Sequence, residues 1–210
     1  MRFMRKTKTI KDKKAIINFL FEVGILSKTP RSGFHFLGSG QQSVSEHMNR
    51  TVYVGYVLSV LEPNIDSAKV MQMCLLHDLA EARTSDLNYV HQKYTISDEH
   101  KAIEDLTDTL PFGNDILEIL REYALRKSKE AILAKDADIL EWILSLKEQV
   151  DIGNSRAKTW IPSAVKRIKT KVAKDLAKEI IKTNSDDWWF SEKNSKWWVK
   201  RNEEILKKRF

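Results

Sequence analysis

Apolar residues recur along most of this chain at intervals of three and four, the period of helices with one buried face. Ile16, Phe19, Leu20, Val23 and Leu26 mark a first helix over Lys11–Leu26. Thr29-Pro30-Arg31-Ser32-Gly33 breaks it with two turn formers, and a loop rich in Gly and Ser runs on to Gln42. Ser43 followed three residues later by Glu46 reads as a capping box. It opens a helix whose apolar stripe is Val54, Val57, Leu58 and Leu61, ended by Pro63 and Asn64. Asp66 caps a central helix expected to reach about Arg83. After an irregular stretch from Thr84 to Tyr94, helices are expected at Ser97–Leu110, Asn114–Arg126 and Lys129–Val150. Gly153–Thr159 reads as a polar loop, and Pro162 suits the first turn of a last helix over Ser163–Thr183. That helix carries Val165, Ile168, Val172, Leu176 and Ile180 on one face. The pattern predicts an all-α bundle, with the loops at 29–42 and 84–96 as walls of a pocket.

Composition agrees, with seven Gly and four Pro among 210 residues. No apolar run is long enough to span a bilayer. The basic N-terminus superficially resembles a signal peptide, but Asp12 and Glu22 interrupt it and no small-residue cleavage site follows. The single cysteine, Cys74, excludes an intrachain disulfide and fits a reducing, cytoplasmic setting without membrane contact. The net charge of +7 is uneven: Ala164–Phe210 holds 14 Lys and Arg against 7 Asp and Glu, so this stretch carries the whole excess. The expected division is a body over 1–160 and a basic helical extension over 161–210. The extension contains Trp188, Trp189, Trp197 and Trp198. They fit docking onto the body or a dimer partner, or, less well, stacking platforms for single-stranded nucleic acid.

The chemistry gathers around Val70–Asp86. Its first half is almost continuously apolar, and His77, Asp78 and Glu81 follow within two helical turns. Burying such groups costs several kcal/mol unless each has a partner. A divalent metal serves histidine and aspartate together, since it takes neutral imidazole and ionised carboxylate. His47 and Asp138 are the further donors available on other helices, the latter inside Ala134–Leu140. Two histidines and two aspartates leave room for water, and the donor types admit one ion of Mn, Fe, Co, Ni or Zn. Asp136 competes with Asp138; the two lie about 200° apart around a helix, so only one faces the site.

The order His…His-Asp…Asp, together with Pro30-Arg31-Ser32-Gly33-Phe34, Gln42–Met48, His77–Glu81, Ser85-Asp86, Lys101–Glu104 and Ala137-Asp138, resembles the HD-domain metal-dependent phosphohydrolases. More narrowly it is similar to their YfbR-type 5′-deoxynucleotidase branch, over roughly residues 15–150. The resemblance implies His47, His77, Asp78 and Asp138 as metal ligands, with Asp138 preferred to Asp136. It implies Glu81 as the carboxylate that handles the attacking water, Asp86 as a catalytic or sugar-contacting acid, and Arg31 on the phosphate. The expected reaction is removal of phosphate from nucleoside 5′-monophosphates, deoxyribonucleotides preferred, by a homodimer. Two positions depart from the family: Phe34 stands where Trp is common beside the deoxyribose, and Ser85 where Gly is usual.

Plainer readings accompany these. His35, His91 and His100 are expected to be structural or exposed, and Glu46 only a cap. Glu81 alone would also fit a surface pair with Arg83 or Arg50, and Arg31 a loop cation. Lys101 and Glu104 fit a solvated pair as well as a role behind the ligands. Other functions held open are an HD hydrolase of a dNTP or (p)ppGpp-like nucleotide, and a nucleotide sensor that binds nucleic acid through its tail.

Overall fold

The computed structural model describes residues 10–191 and 207–208. Helices α1 (Ile10–Val23), α2 (Phe34–Leu37), α3 (Val44–Leu61), α4 (Ser67–Leu76), α5 (Glu81–Thr84) and α6 (Glu99–Thr107) form the first half. Helices α7 (Gly113–Leu125), α8 (Lys129–Asp151), α9 (Ser155–Val165), α10 (Lys171–Lys182) and α11 (Asp187–Phe190) form the second. Among the described residues no strand occurs, only a single antiparallel bridge between Pro30 and Ser43. The fold is all-α, as the periodicity predicts.

Helix α8 is the axis of the bundle. Leu133, Leu140 and Ile143 on it meet Leu58 of α3, Val70, Met73 and Cys74 of α4, and Ala173 and Ala177 of α10 in one apolar cluster. A second cluster joins Leu26, Val44, Met48 and Leu79 to Ile103, Leu106 and Ile116. Each buried aliphatic side chain contributes roughly 1.5–3 kcal/mol to such a core. Helix starts follow side-chain caps: Ser43 with Glu46, Asp66, Asp98, Ser128, Asn154 and Thr170 all accept from amides of the first turn. The Ser43–Glu46 capping box is present in full.

Four boundaries differ from the sequence expectation. The first helix ends at Val23 and tightens into a 3-10 turn over Gly24–Ser27, where glycine is a poor helix former. The central helix ends at Leu76 rather than near Arg83. The amides of Leu79, Glu81, Ala82 and Arg83 then bond three residues back, giving a chain of tight turns. The expected single helix over Ser163–Thr183 is two, α9 and α10, with Pro162 inside the first. The loop expected at Gly153–Thr159 is largely the start of α9, which Asn154 caps. The break before α10 is stabilised from outside: Asp136 of α8 accepts the amides of Lys169 (2.9 Å) and Thr170 (2.7 Å).

The stripe on α3 also turns differently. The buried residues are Val44, His47, Met48, Thr51, Gly55, Leu58 and Ser59, whereas Val57 and Leu61 are exposed beside Tyr53, Tyr56 and Val60. Helix α10 sets Val172, Leu176 and Ile180 against the main cluster. Trp188 is 86% exposed and does not dock on the body, while Trp189 donates to Asp186 Oδ1 and stacks on Phe190. Trp197 and Trp198 lie outside the described residues. No described helix is long and apolar enough to cross a membrane.

Candidate metal centre

His47 occupies the first turn of α3, fixed there by the capping box, and is fully buried. Its Nδ1 meets Glu141 Oε2 of α8. His77, at the end of α4, turns its Nδ1 to the Cys74 carbonyl oxygen at 2.9 Å. With both Nδ1 atoms engaged, the two Nε2 atoms face each other at 3.2 Å. Partners of this kind fix the tautomer and aim of a metal-binding imidazole.

Two carboxylates close on those nitrogens. Asp78 Oδ2 lies 3.6 Å from His47 Nε2 and 3.3 Å from His77 Nε2. Asp138 Oδ1 lies 3.2 and 3.9 Å from the same atoms. His47, His77 and Asp78 offer donors that all fall within 4.8 Å of one another. Ligands about 2.1 Å from one ion stand roughly 3.0–3.5 Å apart, so the spacing suits a single divalent cation. The helical geometry separates the two candidate aspartates: Asp138 faces the histidines, while Asp136 holds the turn before α10.

The charge states fit as well. Burial opposes ionisation of Asp78, but His77, Arg31 and His47 overcome it and hold the carboxyl far below its ordinary range. Asp138 is likewise held down, against burial, by Lys135 and both histidines. Burial and Arg31 push His47 down, yet Asp138 and Glu141 raise it to about 9. A cation there takes the place of the imidazole proton. Donor type, donor spacing and the engaged Nδ1 atoms thus all suit a metal.

Around the donors stand three of the other expected residues. Arg31 Nη1 is 3.3 Å from Asp78 Oδ2 and 3.7 Å from Asp86 Oδ2. Its loop is pinched at the neck, where Arg31 N donates to Gln42 O and Val44 N to Thr29 O. Asp86 Oδ2 also accepts the Ser32 amide at 2.8 Å, so this acid positions the arginine loop. Glu81 opens α5 with a buried Oε2 that has no hydrogen-bond partner. Its carboxyl is pushed up to about 9 by burial and by Asp78 and Asp86, against the pull of Arg31. Arg83 pairs with Glu22, and Arg50 with Glu141 and Glu148, so neither neutralises Glu81.

Phe34 is not part of this arrangement. It is 8% exposed and packs edge-on against Trp142, 5.5 Å between centroids, in a cluster with Leu37, Leu146, Ala157 and Ile161. Helix α2 turns the ring inward, so its observed contacts are with the core. His91 bonds Asn88, while His100 pairs with Glu104 on the surface. Lys101 pairs with Asp105, also exposed, which makes Lys101 and Glu104 solvated charges rather than supports of the site.

Sequence reasoning missed Glu141. It is fully buried, bonds His47, and is itself compensated by Arg50 Nη2 at 2.8 Å and Gln42 Nε2 at 2.7 Å. Its signal was present: a lone acid in the apolar run Ile139–Leu144, one turn after Asp138. Lys135, 2.5 Å from Asp138 Oδ2, was missed too.

A helical bundle that brings His, His-Asp and Asp from three helices to one point is the arrangement of an HD domain. The HD-domain profile matches residues 23–181, and the chain belongs to that family. It is 35% identical over 119 residues to the 5′-deoxynucleotidase HDDC2 of Dictyostelium discoideum, covering 51% of this chain and 62% of that protein. The human protein of the same name is 27% identical over 145 residues, or 66% and 70% of the two chains. Among solved structures, the Pyrococcus horikoshii OT3 protein PH0347 superimposes with a TM-score of 0.67 at 27% identity. That likeness covers 79% of this chain and 98% of the archaeal one. A predicted metal-dependent phosphohydrolase from Magnetospirillum magnetotacticum shares the fold, with a TM-score of 0.66 at 20% identity over 82% of this chain and 92% of the other.

Proposed function

We propose that this chain is a metal-dependent phosphomonoesterase acting on nucleoside 5′-monophosphates, with deoxyribonucleotides preferred. The observation that carries the reading is the meeting of the His47, His77, Asp78 and Asp138 donors beside an unpaired Glu81 oxygen and the Arg31 guanidinium. The names of the curated relatives support the substrate class.

A divalent ion held by the four donors would supply Lewis acidity towards a phosphoryl oxygen and lower the pKa of water from about 15.7 towards ~7. Glu81 would take the proton of the attacking water as the carboxylate, a form that a neighbouring divalent cation favours against the burial and the acids that raise its proton affinity. Arg31 presents a planar fork of donors to two phosphate oxygens. Asp86 holds the arginine loop through the Ser32 amide, and the sugar hydroxyl is the substrate group assigned to it in this reading. The nucleoside 5′ oxygen leaves as its bond to phosphorus breaks and takes up a proton, the one Glu81 accepted from the water. A buried, unpaired Cys74 thiol fits a reducing, cytoplasmic setting. The exposed stripe Tyr53, Tyr56, Val57, Val60 and Leu61 on α3 supports a homodimer.

The test is phosphate release from 5′-dNMPs, 5′-NMPs and 3′-dNMPs by metal-stripped protein resupplied with Mn²⁺, Co²⁺ or Zn²⁺. Metal-dependent release from 5′-dNMPs is expected, abolished in Asp78→Ala and lowered ~10²–10⁴-fold in kcat in Glu81→Gln. Equal rates on ribonucleotides would remove the deoxy preference. Absence of release from every monophosphate, with metal bound, would reject the reading in favour of a triphosphate or (p)ppGpp-like substrate, or of nucleotide sensing.

A further inference from the structure

Lys135 lies one turn before Asp138 on α8, and its Nζ is 2.5 Å from Asp138 Oδ2. The other oxygen of that carboxylate, Oδ1, faces His47 and His77. The two oxygens therefore serve different partners, one towards the metal donors and one towards a cation. Arg31 attends the second aspartate, 3.3 Å from Asp78 Oδ2, which is itself the oxygen that faces the histidines. Each aspartate of the centre thus carries one basic side chain. The Lys135 side chain is 34% exposed and that of Arg31 16%, so Lys135 is the more open to an arriving ligand. Glu99, at the start of α6, senses both halves of the site: burial and Asp78 raise its carboxyl while Lys135 lowers it.

Charge favours a second cation once phosphate enters. Asp78, Asp138, Glu81 and Asp86 are four carboxyl groups around the donors. A divalent ion and Arg31 bring three positive charges against them when all are ionised. A phosphate monoester then adds up to two more negative charges in a partly desolvated space, where repulsion is strengthened. Lys135 reduces that negative excess by one charge. An ammonium on a flexible four-carbon stem moves readily between two oxygen partners at little cost in geometry.

We infer that Lys135 is the second cation of the phosphate subsite, moving from Asp138 Oδ2 onto a phosphoryl oxygen so that the substrate is gripped between Lys135 and Arg31. This deepens the phosphomonoesterase reading and rests on it. The plainer role, holding Asp138 in place for the metal, predicts different behaviour.

The experiment compares metal-loaded full-length protein with Lys135→Met and Lys135→Arg. Metal content is measured by mass spectrometry, inorganic phosphate binding by calorimetry, and KM and kcat on a 5′-dNMP. Lys135→Met is expected to keep its metal while binding phosphate about tenfold more weakly, with most of the kinetic loss in KM. Lys135→Arg is expected to recover much of that binding, which also guards against a folding defect in the methionine variant. Phosphate binding equal to wild type in Lys135→Met overturns the assignment alone, as does loss of metal with phosphate affinity per bound metal unchanged. If wild-type protein with metal neither binds phosphate nor releases it from substrate, both this assignment and the underlying reading fall.

Discussion

His47 and Glu141 meet across α3 and α8 with neither side chain open to solvent, Nδ1 of one against Oε2 of the other. Burial raises the Glu141 carboxyl, but His47, Arg50 and Gln42 outweigh it and hold it down at about 2. The histidine ring is therefore anchored before any ligand arrives. Replacing Glu141 with Gln is expected to weaken metal retention roughly 10–100-fold, measured by competition with a chromogenic chelator. Glu141→Ala additionally strips a buried partner from His47 and Arg50, and should lower unfolding free energy by roughly 3 kcal/mol. Unaltered chelator competition in both variants would exclude Glu141 from the centre.

Asp136 and Asp138 offer a contrast two residues apart. Asp138→Ala should abolish metal binding and turnover. Asp136→Ala removes the acceptor for the Lys169 and Thr170 amides and the Thr170 hydroxyl. Unsatisfied groups of this sort cost about 1–3 kcal/mol each where buried. The expected outcome is a lower denaturation midpoint with metal stoichiometry preserved, read by urea titration and metal analysis. A metal-free, stable Asp136→Ala protein would reverse the assignment.

Ser85 adopts φ 61°, ψ 163°, a region open almost only to glycine. It directly precedes Asp86, and the strain is of order 1–3 kcal/mol. Ser85→Gly should raise thermal stability by several degrees while Asp86 keeps its bond to the Ser32 amide. A fall in melting temperature would show that the serine is not strained.

Burial, and secondarily Asp138, pushes the Cys74 thiol up to about 12. Its sign is simple: the thiol stays protonated throughout the neutral and mildly alkaline range, and only the thiolate reacts. Native protein at pH 8 should resist a thiol reagent, then react stoichiometrically in denaturant. Rapid labelling of folded protein would contradict the buried position.

Gly55 of α3 packs against Val70 and Cys74 of α4. A Cβ there would lie 2.6 Å from Cys74 Sγ and 3.3 Å from Val70 Cγ1. Gly55→Ala should destabilise by about 1–3 kcal/mol through overpacking. Gly55→Ala combined with Cys74→Ala should recover part of the loss, and failure to do so would place the clash elsewhere.

Much of this architecture is legible in the chain. Helical spacing and caps such as Ser43–Glu46 and Asp66 locate most elements, because those signals are local. His47, His77 and Asp78 are suggested by ionisable groups next to apolar helical runs, which need partners, while the choice of Asp138 over Asp136 comes from the family resemblance. Three things were not. The end of α4 at Leu76 follows from tight turns that bring His77 and Asp78 to the cluster, which no residue in that stretch announces. The break between α9 and α10 depends on Asp136, 33 residues before Lys169 in the chain. The inward turn of Phe34 depends on Trp142 across the bundle, and a motif match cannot see such a contact.

The two aspartates of α8 have one more consequence. Asp136 and Asp138 rise from the same turn of one rigid helix, the first tied to the beginning of α10 and the second to the metal donors. The lysine-rich segment that charge alone sets apart is thus tied, through one helix, to the residues of the candidate metal centre. Loss of the segment after α9 would leave Asp136 without the Lys169 and Thr170 amides it now accepts. Tags and truncations at that end belong among the variables to control in any assay of this protein.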